Sequence, residues 1–328
     1  MASKAMHCPT LTELPPPPAG KIGWPWTEET PQPTDIIPDP STGSDQVVSW
    51  PRISIVTPSY NQGQFIEETI RSVLLQGYPN LEYIIIDGGS KDDSLKIISE
   101  YQNWLAYWEA ESDRGQSHAI NKGFARCNGN IIAWLNSDDI YLKGTLKKIV
   151  RVFQHHRDIH LVYGNALFVD ENSVELRPYK GHQTSLLGKL EYWKGWHIPQ
   201  PTVFFKRDLY LQIGELDESL HYALDYEFFL RAAFQHRFRY VPDKLATYRR
   251  HGASKTGDWY TNKKRFHEEC HRAVNRHIKP TMMLYWRWKI SYVFSMLLKR
   301  RYVMSKTIKM ASKLIAVISR LGGICSRI

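Results

Sequence analysis

The sequence predicts an α/β protein with a mostly parallel central sheet, and three observations carry that prediction. From Arg52 to Leu135, short apolar runs alternate with amphipathic stretches of helical period, the order that builds parallel sheets with helices on their faces. The last of these runs, Ile131 to Leu135, is apolar at every position, as a strand covered on both faces requires. It stops at Asn136-Ser137-Asp138-Asp139, which delivers acids to a strand's carboxyl end, the edge where open α/β sheets bind ligands. Adjacent acids there fit a divalent cation and an anionic ligand; the same four residues also fit a helix N-cap and first turn.

The elements follow in order. Ile53, Ile55 and Val56 form a first strand ending at Thr57-Pro58-Ser59-Tyr60-Asn61, and a helix over Gln64 to Gln76 turns Phe65, Ile66, Ile70, Val73 and Leu74 inward. Tyr83 to Ile86 is a second strand, running into Asp87-Gly88-Gly89-Ser90. Asp92 or Asp93 then opens a helix with Leu95, Ile97 and Ile98 inward. A third strand around Leu105 to Trp108 leads through a polar loop to a helix over Gln116 to Ala125, and so to the central strand. Beyond it come a helix from about Gly144 to Phe153, a strand over His160 to Val169, and an irregular stretch with Tyr192, Trp193 and Trp196. A strand over Thr202 to Phe205, a short helix around Asp208 to Ile213 and a helix beginning near Leu224 follow.

The first fifty residues hold Pro15 to Pro18, Pro25, Pro31, Pro33, Pro38 and Pro40, too many for helix or central strand. Residues 1–51 therefore read as an extended segment without a secretory signal, parts of which wrap onto the domain surface through Trp24, Trp26 and Trp50. Four scattered cysteines with no Cys-x-x-Cys pair fit a reducing compartment, and the cytosol is the expected location. The net charge of +10 belongs to the tail: no acid follows Glu269, while twelve Lys or Arg lie between Arg276 and Arg327. Residues 256–328 thus read as a basic helical extension with no stretch long enough to span a bilayer. Its interleaved aromatic and basic residues suit an anionic membrane surface, on the inner face of the membrane, or a helix packed on the domain; no nucleic-acid-binding module is recognisable. Neither a Gly-x-Gly-x-x-Gly loop nor a Gly-x-x-x-x-Gly-Lys-Ser/Thr loop is present, so phosphates would need a metal.

Six pieces, in one order, resemble the family 2 glycosyltransferases of GT-A fold. They are Thr57-Pro58-Ser59-Tyr60-Asn61, Ile86 to Ser90, Asp113-Arg114-Gly115-Gln116 with Asn121-Lys122-Gly123, Asn136 to Asp139, Leu224-Asp225-Tyr226-Glu227 with Arg231, and Tyr248-Arg249-Arg250-His251. The resemblance, over about residues 52–255, implies transfer of a hexose from a nucleotide-diphosphate donor, a UDP-sugar first, to a glycan or lipid-linked acceptor in cell-surface polysaccharide or glycolipid synthesis. It implies donor contacts at Thr57, Asp87, Asp113, Asn136 and Asp138, and a Mn2+ or Mg2+ ion on Asp138 and His251. Asp225 matches the general base of an inverting transfer, and the absence of Gln-x-x-Arg-Trp fits one sugar per encounter. Two positions depart from the family pattern: Asn136 stands where an acid is usual, and Leu224 precedes Asp225 in place of Glu.

Three other readings compete. A nucleotide-sugar-binding protein without turnover follows from the Asn136 departure, and nucleotidyl transfer would share the sheet and the metal. His267-Glu268-Glu269-Cys270-His271 fits the zinc-protease pattern His-Glu-x-x-His, with His277 at a metzincin spacing. That spacing needs a glycine where Val274 stands, and on an unbroken helix His277 lies about 120° from His271. A solvated helix face is the simpler expectation.

Overall fold

The computed structural model describes residues 8–33, 37–38, 47–48, 50–194, 198–252, 254–255, 259–278 and 286–296. A two-residue ladder pairs β1 (Ile37–Pro38) with β2 (Val47–Val48), and the main sheet begins after it. Its first half runs β3 (Ile53–Ser59), α1 (Ile66–Leu74), β4 (Leu81–Asp87), α2 (Ser94–Glu100), β5 (Tyr107–Ala110), α3 (Gln116–Phe124) and β6 (Ile131–Trp134). The second half continues with α4 (Thr145–His155), β7 (Leu161–Val169), β8 (Glu175–Tyr179), α5 (Leu186–Leu190), β9 (Phe204–Lys206) and α6 (Arg207–Ile213). It closes with α7 (Leu224–Gln235), β10 (Phe238–Arg249) and α8 (Trp259–His277), and a further helix, α9, covers 286–296.

The strand order is β10-β7-β9-β6-β3-β4-β5, with β8 beside β7. β3 pairs in parallel with both β4 and β6, and β4 with β5, so the chain builds outward from β3 in one direction and then returns to its other side. That reversal makes the carboxyl ends of β3 and β6 a topological switch point, the place where such sheets bind ligands. β9 is antiparallel to β6 and β7, which splits the parallel array in two without turning β7 or β10 around.

The apolar runs of the sequence are explained by burial on both faces. Ile53, Ile55, Tyr83, Ile85, Ile131 and Ala133 point to one side, where α1 and α4 pack; Val56, Ile84, Ile86, Ile132 and Trp134 point to the other, against residues of α3, α6 and α7. α3 lies close enough on β3 that a side chain at Gly123 would meet Val56 Cγ1 at 2.4 Å, which is why this helix carries glycine there. The proline-rich segment does wrap onto the domain. Cys8, Leu14 and Trp26 are buried, Trp24 Nε1 donates to the Tyr141 carbonyl at 2.8 Å, and the buried Arg71 donates to the carbonyls of Pro15, Pro25 and Trp26.

Candidate active site

The loop after β6 meets the end of β10. Asp138 Oδ2 and His251 Nε2 stand 3.1 Å apart, the imidazole nearly buried and the carboxylate 19% exposed. His251 is held against the Phe65 ring, with centroids 4.6 Å apart, and this fixes its orientation. Asn136 is locked by both ends of its amide: Oδ1 accepts from Gln116 Nε2 at 2.7 Å, and Nδ2 donates to Gln200 Oε1 at 3.1 Å. Gln200 in turn donates to the Trp134 carbonyl at 2.9 Å. A carboxylate at position 136 could accept from Gln116 but could not donate to Gln200, so the departure from an acid is matched by its neighbours. Asp139 is buried, accepts from the Arg249 backbone N–H at 2.8 Å, and has its carboxyl held well above the usual range by burial and then by the charge of Asp138.

Arg249, at the end of β10, clamps this loop. Its Nε donates to the Asp138 carbonyl at 2.7 Å, Nη1 to Ser173 Oγ at 2.9 Å, and Nη2 to Glu68 Oε2 at 2.7 Å, with both charged groups buried. Sequence reasoning placed Arg249 in a motif but gave it no role, since adjacent arginines carry no sign of burial. Removing one partner of a buried pair leaves the other uncompensated, so Arg249→Met is expected to destabilise the fold by about 3 kcal/mol or more, read as a lowered denaturation midpoint.

Asp225 lies in the first turn of α7, and the turn before that helix is held from a distance. Glu269, buried on α8, accepts the backbone N–H groups of His221 at 3.1 Å, Tyr222 at 2.7 Å and the N-cap Ala223 at 2.8 Å, which pins the turn that leads into α7. Asp225 accepts from the Tyr226 N–H at 2.7 Å, and burial pushes its carboxyl up to about 6. Lys255 stands by: Nζ donates to Gln116 Oε1 at 2.8 Å and to the His221 carbonyl at 2.9 Å, and desolvation lowers it to about 8 against the pull of Glu269 and Asp225. Gln116 and Lys255 together therefore join the Asn136 loop to the turn before α7. Neither Lys255 nor Glu269 was singled out from the sequence, and neither sits in a local pattern that would have revealed it.

The other expected donor contacts divide. Asp87 ends β4 and is fully buried; its oxygens accept from the Gly89 and Ser90 N–H groups and from the Ser59 and Ser90 hydroxyls at 2.7–3.0 Å, so it anchors its own loop. Asp113 abuts that loop, since a Cβ on Gly88 would meet its Oδ2 at 2.7 Å, and its Oδ1 accepts from the Gly115 N–H at 2.7 Å. Thr57 lies inside β3 and not in a loop; it is fully buried, with its hydroxyl 3.0 Å from the Tyr83 hydroxyl. Other motif residues are structural: Asn121 exchanges two hydrogen bonds with the Leu216 backbone, and Arg231 pairs with Glu227 at 2.7 Å.

A divalent cation fits the Asp138–His251 pair by donor chemistry, a carboxylate oxygen and an imidazole nitrogen aimed at one another. Two protein ligands suit a cation that shares its remaining positions with a diphosphate. Among the described residues no three His, Cys, Asp or Glu converge. The His267 helix offers no zinc site of the protease kind. His271 Nδ1 lies 3.3 Å from the Tyr192 hydroxyl, Cys270 and Glu269 face inward, and His277 pairs with Glu227 at 2.6 Å. This face is packed against the domain on one side, which corrects the expectation that it is simply solvated.

Residues 54–214 match the sequence model of Glycosyl transferase family 2. The chain is 28% identical over 216 residues to an uncharacterized glycosyltransferase of Nostoc sp., a match over 62% of this chain and 66% of that one. It is 31% identical over 189 residues to one of Mycobacterium tuberculosis, over 57% of this chain and 71% of that one. Among solved structures, S. aureus TarS 1-349 in complex with UDP-GlcNAc is similar with a TM-score of 0.56 and 20% identity, over 70% of this chain and 68% of that one. The mannosyltransferase PcManGT from Pyrobaculum calidifontis, in complex with GDP-Man and Mn2+, gives 0.54 and 19%, over 76% and 69%. A longer TarS chain is matched over 40% of its length. At such identities the likeness speaks for the fold, and the fold is GT-A as expected.

Proposed function

The chain belongs to glycosyl transferase family 2, and from that membership we propose that it transfers one sugar from a nucleoside diphosphate donor to an acceptor hydroxyl with inversion. The observation that carries the reading is the pairing of Asp138 with His251 at the carboxyl edge of the sheet, together with a half-buried, proton-avid Asp225 that follows a turn linked to the same loop through Gln116 and Lys255. Donor binding falls to the switch point at the carboxyl ends of β3 and β6, walled by the Asp87 loop and Asp113, with the diphosphate toward Asp138 and His251. A Mn2+ or Mg2+ ion held there would neutralise charge on the departing diphosphate. Asp225 takes the proton of the acceptor hydroxyl as its oxygen bonds to the anomeric carbon and the carbon–phosphate-oxygen bond breaks, releasing the nucleoside diphosphate. Lys255 and Glu269 hold the Asp225 turn in register with the Asn136 loop. Complexes of related folds with UDP-GlcNAc and GDP-Man support this donor class, and a UDP-sugar with a glycan or lipid-linked acceptor is the form we propose.

The test is release of nucleoside diphosphate from UDP- and GDP-sugars, with product identity as the readout. A nucleoside diphosphate supports transfer, a sugar 1-phosphate would mean attack at the nucleotide's phosphorus as in nucleotidyl transfer, and no product from folded, donor-binding protein would mean binding alone. The pH profile carries a further expectation. A base must be ionised to act, so turnover should fall tenfold per pH unit below about 6, following the raised Asp225 carboxyl.

A further inference from the structure

α9 is apolar on two opposite sides. At 100° per residue Trp288 and Tyr292 share one face, where Trp288 is fully buried and Tyr292 lies against Trp193 and His271, with ring centroids 5.1 and 5.2 Å away. On the opposite side Trp286, Ile290, Val293 and Phe294 fall within an arc of about 100°, and they are 57, 67, 47 and 61% exposed. A surface helix ordinarily turns charge outward. Here the outward stripe is apolar and is edged by Arg287 on one flank and Lys289 on the other.

Beside α9, α8 forms a cavity of about 970 Å³ lined by Lys263, Lys264, Arg265, His267, His271 and Arg272, with Tyr292 of α9 closing one side. The acids on this wall do not balance it. Glu268 lies 3.9 Å from Lys264, and Glu269, 3.8 Å from Arg272, is turned inward to hold the turn before α7, which leaves two acids against four Lys or Arg on this wall. An exposed apolar stripe on α9 next to a basic hollow on α8 matches an anionic bilayer: acyl chains beneath the stripe, headgroup phosphates at the hollow. Among the described residues no helix is long and apolar enough to cross a membrane, so this arrangement would rest on the surface.

We infer that the α8–α9 face docks this protein onto an anionic membrane surface, with Ile290, Val293 and Phe294 entering the interface and Lys263, Lys264, Arg265 and Arg272 meeting the headgroups. Arg265 Nη1 also lies 3.3 Å from the Tyr222 hydroxyl, so the docked face borders the turn that carries Asp225. An acceptor presented from the bilayer would approach on that side.

The experiment is co-sedimentation of the full chain with vesicles of phosphatidylcholine alone, or with about a third phosphatidylglycerol, at low and high salt. Two double variants accompany the wild type: Lys263→Glu with Lys264→Glu, and Val293→Ser with Phe294→Ser. All four positions are exposed, and unchanged circular dichroism and thermal midpoint confirm that each variant folds. Wild type is expected to bind the anionic vesicles, to bind neutral ones at least tenfold more weakly, and to lose binding as salt rises. Each double variant should bind anionic vesicles at least tenfold more weakly than wild type. The proposal is overturned if wild type does not bind, or if both variants bind as wild type does. It is equally overturned if the serine pair turns a dimer into a monomer while vesicle binding persists, since the stripe would then join two copies. Vesicle binding is read without turnover, so this outcome is independent of the donor chemistry.

Discussion

Asp225→Asn is expected to lower turnover by about two to four orders of magnitude, the usual contribution of a positioned general base, while leaving donor affinity within about twofold. The amide keeps an oxygen able to accept from the Tyr226 N–H, so the start of α7 is preserved. Stability should move the other way. The Asp225 carboxyl stands at about 6, above its ordinary value near 4, so between those pH values the folded protein holds a proton that the unfolded chain releases. Ionising the group therefore costs stability, and the cost is fully present above about 6. Replacing it with a neutral amide should leave the denaturation midpoint at neutral pH unchanged or raised. A variant that is inactive yet no less stable distinguishes a chemical role from a structural one.

Asp138→Asn is the second large effect. The amide can still hydrogen-bond His251, 3.1 Å away, but the pair loses the negative charge that would hold a cation, so activation by Mn2+ or Mg2+ should fall sharply. If the ion supplies several kcal/mol of charge stabilisation to the leaving diphosphate, turnover drops by about a hundredfold or more, and added metal restores little of it. Donor affinity should weaken together with turnover, unlike the Asp225 case. The loop itself should survive, because Arg249 grips the Asp138 carbonyl and not its side chain.

What could be read from the sequence was governed by the range of the interaction. The central strands were legible because burial on both faces leaves an apolar run, and the positions of Asp138 after a strand and of Asp225 in the first turn of a helix were legible because they end such a run or begin a helix. β10 was missed: Pro242, Asp243 and Lys244 interrupt its pattern, and its pairing with β7 slips between Tyr240 and Lys244 and again before Ala246. The inverted β9 was read as a strand, but nothing local announces the direction of a three-residue strand. Thr57 was expected in a loop at the strand's carboxyl end, yet β3 continues through to Ser59. The polar supports were the least visible. Glu269 lies 46 residues from Ala223 and Lys255 lies 139 from Gln116, and each looks like one more charged residue in a polar stretch until the fold closes. Asn136, the departure from the acid of the family pattern, has both ends of its amide matched by two glutamines that only the fold brings beside it. Within the tail, Met282 to Tyr285, Leu314 to Ile318 and the other residues after 296 lie outside the described residues, as does Trp196.

The most direct measurement is calorimetric titration of the wild-type protein with UDP-, GDP- and dTDP-sugars, each with and without Mn2+. One nucleotide sugar should bind at least tenfold more tightly with the metal, and Asp138→Asn should erase that difference. Equal affinity with and without Mn2+ in the wild type, or no binding of any donor to folded protein, would contradict a metal-assisted transfer site at Asp138 and His251.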